Sequence, residues 1–143
     1  MRLICGIFFS LVFTLGSIGQ ENKVLSLSGL EGHVRLPNQL FEPLGQGTIE
    51  FWMKQTDLGR FSSPLWFGRN QHSIGFNNKE STRTFQFFYY PNPGEIQVIS
   101  IPDIIPINQW IHVAGAFGPN GMQLFLNGVL VATNPISAGL TPQ

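Results

Sequence analysis

Cysteine is nearly absent from this chain: of 143 residues only Cys5 is one, and it stands near the amino terminus. A disulfide framework is therefore excluded, and so is thiol chemistry anywhere beyond residue 5. Charge is scarce as well, with eight Lys and Arg against eight Asp and Glu and no two basic residues adjacent. That pattern lacks the basic footprint a phosphate backbone needs, so no nucleic-acid partner is expected. No Asn-x-Ser or Asn-x-Thr acceptor occurs, and neither do His-x-His, His-Glu-x-x-His or Gly-x-Ser-x-Gly. N-glycosylation, a compact zinc site and the usual serine-hydrolase elbow are thereby excluded. Carboxylates are thinly spread over Glu21, Glu31, Glu42, Glu50, Asp57, Glu80, Glu95 and Asp103. No close-set acid pair of the kind a retaining glycosidase carries on one strand appears among them.

What is abundant is apolar and turn-forming: 43% hydrophobic residues, 13 Phe, 16 Gly and 10 Pro. One apolar run stands apart. Arg2 precedes Leu3 to Leu15, and Gly16-Ser17-Ile18-Gly19 follows. A charged start, an apolar stretch and small residues at its end make a secretion signal, with cleavage expected before Gln20 and a mature domain of residues 20–143. Leu3 to Ile18 falls short of the roughly 20 residues that span a bilayer, so no stable membrane span is expected after cleavage. Cys5 opens the run instead of following it, which argues against a lipid-modified cysteine. The expected location is outside the cell or on its surface, with a periplasm as the alternative.

Beyond residue 20, apolar and polar residues alternate over short runs separated by Gly, Pro, Asn and Ser, and no helical period persists. The expected strands are 24–28, 33–37, 47–54, 64–68, 73–77, 83–90, 95–101, 110–117, 122–127 and 129–133. Pro119-Asn120-Gly121 and Asn127-Gly128 join the last three as consecutive hairpins, Asn-Gly being suited to the positive φ angles of a type I′ turn. Strand alternation puts Met122, Leu124 and Leu126 inward, and likewise Ile49, Phe51 and Met53, leaving Trp52 with Thr48, Glu50 and Lys54 on the other face. His112, between Trp110 and Ala114, reads as a hydrogen-bonded structural histidine. Segment 83–90 is aromatic on both sides, so both faces must be covered or one is a contact surface.

Five pieces in order carry a family pattern: Leu27-Ser28-Gly29, His33 to Pro37, Thr48 to Trp52, Gln109 to Ala114, and Met122 to Ala132. Together they resemble the laminin-G-like, concanavalin-A-like lectin jelly-roll domains. The resemblance implies an all-β, antiparallel two-sheet jelly-roll sandwich, often carbohydrate-binding or adhesive and often with calcium at its rim. On the outward face a half-exposed Trp52 could stack on a sugar; its place within the resemblance implies instead that it packs under a loop. Such domains normally continue past the hairpin that ends at Thr133, so the strands that would complete the sheets are missing. Residues 134–143 read as an extended loop, and a longer protein or another chain would complete the open edge.

The ligand-binding expectation rests on strand-end aromatics and neighbouring polar groups: Arg69, His72, Asn77, Tyr89 and Tyr90. For calcium the oxygen donors to inspect are Asn77, Asn78 and Asp103, whose alternative role is turn formation. The expected function is a secreted, non-catalytic recognition or adhesion domain for a glycan or an extracellular protein. Two alternatives stay open: a glycoside-active enzyme using carboxylates from separate strands, such as Glu50 with Glu95, and a structural module of a larger extracellular protein.

Overall fold

The computed structural model describes residues 23–29, 32–37, 44–69, 72–92 and 94–139. The expected secretion signal and its expected cleavage before Gln20 lie outside these residues. Eight strands occur in chain order: β1 Gly47–Met53, β2 Leu65–Arg69, β3 His72–Asn78, β4 Phe85–Tyr90, β5 Gln97–Ile101, β6 Ile111–Gly118, β7 Gly121–Leu126 and β8 Val129–Asn134. They form two antiparallel sheets of four, ordered β1-β6-β7-β8 and β2-β3-β4-β5, which make a jelly-roll sandwich with no helix among the described residues. No helix of the described residues is long and apolar enough to cross a membrane.

Eight of the ten expected segments are strands. The exceptions are 24–28 and 33–37, which join no ladder despite their alternation. Their apolar side chains Leu25, Leu27, Val34 and Leu36 are exposed. Alternation supplies an amphipathic strip, but a strand also needs a neighbouring strand in a ladder, and among the described residues neither segment is part of one.

Local chemistry accounts for the C-terminal meander. Asn127 and Gly128 have φ of 49° and 78°, the left-handed pair that a two-residue hairpin between right-twisted strands requires. Asn127 also ties the turn to the neighbouring strand. Its Oδ1 accepts from the His112 amide at 3.0 Å, and its own amide donates to the His112 carbonyl at 2.9 Å. At the β6–β7 turn Gly121 has φ 106° and lies under Asn134 and Pro135, where a Cβ would come within 2.3 Å of a carbonyl oxygen.

The core is aromatic on one side and aliphatic on the other. From the β2–β5 sheet come Ile74, Phe76, Phe85, Phe87, Tyr89 and Ile99. The facing sheet contributes Ile111, Val113, Phe117, Met122, Leu124 and Leu126. Phe76 is stacked with Phe87 at 4.6 Å between centroids and meets Phe51 edge-on at 5.2 Å. Opposite these rings β6 has Gly115, and a Cβ there would sit 2.6 Å from Phe76 Cζ and 2.8 Å from Phe87 Cζ. The missing side chain is what lets the two sheets close over three phenylalanines.

Burial is uneven across the sandwich. Inward residues of β6 and β7 are fully enclosed, whereas Ile49, Phe51 and Met53 of β1 and Leu65 and Phe67 of β2 are only half-buried. On the opposite side Asn134 reaches from β8 to the Val98 carbonyl of β5 at 3.4 Å. The chain after β8 does not trail away as a free loop. Ala138 is buried and donates to the Gly118 carbonyl at 3.0 Å, while the Tyr89 hydroxyl donates to the Gly139 carbonyl at 2.8 Å.

A methyl group at Gly115 has no room between Phe76 and Phe87. Gly115→Ala is therefore expected to destabilise the domain by about 1–3 kcal/mol, the usual range for overpacking. Urea unfolding monitored by tryptophan emission checks this, and an unchanged midpoint would show that the rings are not held where they lie.

Candidate functional site

The expected ligand residues do not converge. Arg69 and His72 are register partners at the β2–β3 hairpin, and Tyr90 pairs with Ser73 beside them. Tyr89 points the other way, into the core, where its hydroxyl bonds Gly139. Asn77 pairs with Gln86 at the far end of β3. Four residues of extended strand put it roughly 13 Å from Ser73.

Nor do the expected calcium donors meet. Adjacent positions in a strand face opposite sides of the sheet, so Asn77 looks outward while Asn78 is buried. The Asn78 side chain serves as a peg between two loops. Its Nδ2 donates to the carbonyls of Gly59 at 3.0 Å, Glu80, and Thr82 at 3.4 Å, and its backbone amide donates to Ser62 at 3.2 Å. The nitrogen, not the oxygen, thus faces the gathered carbonyls. Asp103 is exposed in a turn with φ 53°, a conformation Asp adopts for backbone reasons. The loop that follows it is held by Arg83, whose Nε donates to the Ile105 carbonyl at 2.7 Å. Among the described residues no group of three or more His, Cys, Asp or Glu is placed to hold a metal ion. Asn77, Asn78 and Asp103 therefore do not fit one calcium shell.

The doubly aromatic strand β4 is covered on both faces. Phe85, Phe87 and Tyr89 lie in the core. On the other side Phe88 is buried beneath Trp66, with ring centroids 4.8 Å apart, and is flanked by Tyr90 at 5.7 Å. Gly75 lets these rings close over β3, because a Cβ there would fall 2.8 Å from Phe88 Cζ and 2.7 Å from the Leu65 carbonyl oxygen.

Exposed aromatic surface with polar company lies instead on the outward face of the β1–β6–β7–β8 sheet. Trp52 is 64% exposed, so it does not pack under a loop as the resemblance led us to expect. Its register partner is His112, whose ring lies 5.3 Å away. His112 Nε2 is 3.6 Å from Glu50 Oε2, so this histidine has a polar partner on the sheet surface. Trp110, just before β6, is 47% exposed, and Lys54 Nζ lies 6.0 Å above its ring. Ala114 and Ala116 continue the outward row of β6 past His112, and their short side chains leave the floor beside Trp52 low. Phe125 and Leu130 follow across β7 and β8.

The arrangement suits binding. Indole faces offer flat apolar contact to the hydrogen-bearing face of a sugar ring or to an apolar side chain, while Glu50, His112 and Lys54 offer acceptors and donors at the margin. The two carboxylates considered for hydrolysis are not paired. Glu50 is on the outward face of one sheet, and Glu95 precedes β5 in the other, where it accepts from Asn92 Nδ2 at 3.0 Å. Strand parity does place Trp52, Lys54 and Glu50 on one face in the sequence. What it lacks is the knowledge that β6 is the neighbour of β1, which brings Trp110 and His112 beside them.

Residues 28–143 match the family described as the concanavalin A-like lectin/glucanases superfamily. No curated protein matches the chain.

Because the buried Asn78 side chain ties Gly59 to Glu80 and Thr82 by its amide nitrogen, Asn78→Ala should remove the hydrogen bonds that hold these two loops together. A loss of about 1–3 kcal/mol is expected, read from thermal unfolding in calcium and again in chelator. An equal loss in both buffers is the outcome for a peg, whereas a loss confined to the calcium buffer would make Asn78 a metal ligand.

Proposed function

The chain belongs to the concanavalin A-like lectin/glucanases superfamily, and from that membership we propose that it is a non-catalytic recognition domain, secreted from the cell, whose β1–β6 face binds carbohydrate. Membership fits a carbohydrate- or protein-binding module. The observation that carries the finer reading is the exposure of Trp52 and Trp110 on one sheet face, with Lys54, His112 and Glu50 beside them. Trp52 faces His112 and Trp110 precedes β6 in the same row, so the two residues occupy diagonal positions of an antiparallel pair, whose backbones lie about 7–8 Å apart at this kind of position. That separation presents two stacking points to consecutive rings of an oligosaccharide. A water-exposed indole pair is unfavourable to leave bare, and a sugar that stacks on it releases that surface from water.

Fold alone does not supply a reaction, since this superfamily's own description spans lectins and glucanases. Support for binding without hydrolysis comes from the position of Glu50. It faces His112 and Trp52, and no second carboxylate among the described residues shares its row. Secretion is supported by Arg2, the apolar run Leu3 to Leu15 and the small residues that follow.

The reading is tested by screening the protein against an array of soluble oligosaccharides, with tryptophan emission as a second readout. For any glycan bound, Trp52→Ala and Trp110→Ala should each weaken binding about tenfold or more, equivalent to roughly 1.4 kcal/mol. Trp66→Ala on the other sheet should leave it unchanged. Release of reducing sugar ends would overturn the non-catalytic reading. Glycan binding that survives loss of both indoles would move the site elsewhere.

A further inference from the structure

The end of the sandwich opposite the Asn127-Gly128 turn holds a hollow of about 410 Å³. Gly45 and Gln46 border it where the chain enters β1, Pro119 in the β6–β7 turn, Tyr89 near the end of β4, and residues 137–139 where the chain leaves β8. This last segment is fixed at several points. Ile136 donates its amide to Asn134 Oδ1 at 3.0 Å, Ala138 to the Gly118 carbonyl at 3.0 Å, and the Tyr89 hydroxyl bonds the Gly139 carbonyl at 2.8 Å. Two glycines permit the close approaches. A Cβ on Gly121 would fall 2.3 Å from the Asn134 carbonyl oxygen, and one on Gly139 would fall 2.5 Å from that of Gly45. The walls are therefore in place before any ligand arrives, which lowers the ordering cost of binding. Gly45 itself is in the reverse situation: a Cβ there would meet nothing within 4 Å, so this glycine borders open space.

We propose that this hollow binds a single uncharged sugar ring, at a site separate from the β1–β6 face. None of the described residues that line it is charged, so an ionised ligand would give up water without gaining a counter-charge. The exposed Gln46 amide and Ser137 hydroxyl each offer both a donor and an acceptor, as a sugar hydroxyl does, and the glycine carbonyls add further acceptors. Pro119, Ala138 and the Tyr89 ring supply apolar contact for the hydrogen-bearing face of the ring.

Size limits the occupant to one ring. A volume of about 410 Å³ lies near the lower end of the roughly 300–1,000 Å³ of small-molecule sites, too small to enclose a chain. A free sugar and the terminal ring of a longer glycan present the same groups to these walls. The chemistry is shared, and only the behaviour of the next ring along separates the two sources.

The full chain, isotope-labelled and purified from a secreting host, is titrated with the methyl glycosides of glucose, galactose and mannose and with N-acetylglucosamine while its backbone amide resonances are followed. At least one sugar is expected to saturate, moving the amides of Gln46, Ser137, Ala138 and Gly139. Gly45→Leu places a side chain in the open space and should weaken that sugar about tenfold or more, with the unfolding midpoint unchanged. Should the midpoint move, Ser137→Ala removes one exposed hydroxyl and is expected to weaken the same sugar several-fold. Trp52→Ala leaves it unaltered. The matching disaccharide separates the sources: tighter binding assigns the hollow to a chain end, equal or weaker binding to a free sugar. No saturable shift at these amides with any of the four sugars, or shifts that survive both substitutions, would overturn the proposal. Shifts confined to Trp52 and His112 would overturn it as well, while leaving the reading of the β1–β6 face intact.

Discussion

The contact between Phe76 and Gly115 is the constraint on which the sandwich depends. Stacking Phe76 with Phe87 gives one sheet a thick aromatic layer, and two sheets that both carry large inward side chains at the same height could not approach to the roughly 10 Å of a packed pair. Gly115 removes the side chain from β6 where the rings project, and Phe51 then meets Phe76 edge-on from β1. The aliphatic residues of β6 and β7 fill the remaining height. Gly115 thereby sets the separation of the sheets, and with it the position of every residue on their outward faces.

The outward face of the β1–β6–β7–β8 sheet inherits its chemistry from that arrangement. Since Ile49, Phe51 and Met53 must turn to the core, Glu50 and Trp52 turn away from it. Pairing with β6 then adds His112 and Trp110, which face outward because Ile111 and Val113 do not. Each aromatic on this face is a consequence of an apolar neighbour on the other. The opposite sheet treats its aromatics differently. Trp66 and Tyr90 flank Phe88 over Gly75 and bury it, while Trp66 itself stays 53% exposed.

Much of this was legible from residues alone. The strands from 47 onward, the Asn127-Gly128 turn and the inward set Met122, Leu124 and Leu126 follow from period-two alternation and from a dipeptide that accepts positive φ. Segments 24–28 and 33–37 show the limit of that logic, since alternation names a face but not a neighbour. The binding expectation failed to converge for the same reason. Tyr89 and Tyr90 are adjacent in sequence and therefore on opposite faces, and Asn77 and Asn78 are separated by the sheet in the same way. Sequence proximity on a strand is a poor guide to a shared site, while proximity across strands is invisible until the order of the sheet is known.

The sequence by itself determined the class of fold, the hairpins of the C-terminal third and the facing of each residue along its own strand, because these depend on interactions a few residues apart. Only the tertiary structure decided that β1 lies against β6, that Trp52 is open instead of covered, and that the flank at β1 and β2 is left thin. Those features depend on pairing between segments some sixty residues apart, such as Trp52 with His112. The choice of partner there is settled by how all the apolar faces pack at once, which no local pattern encodes.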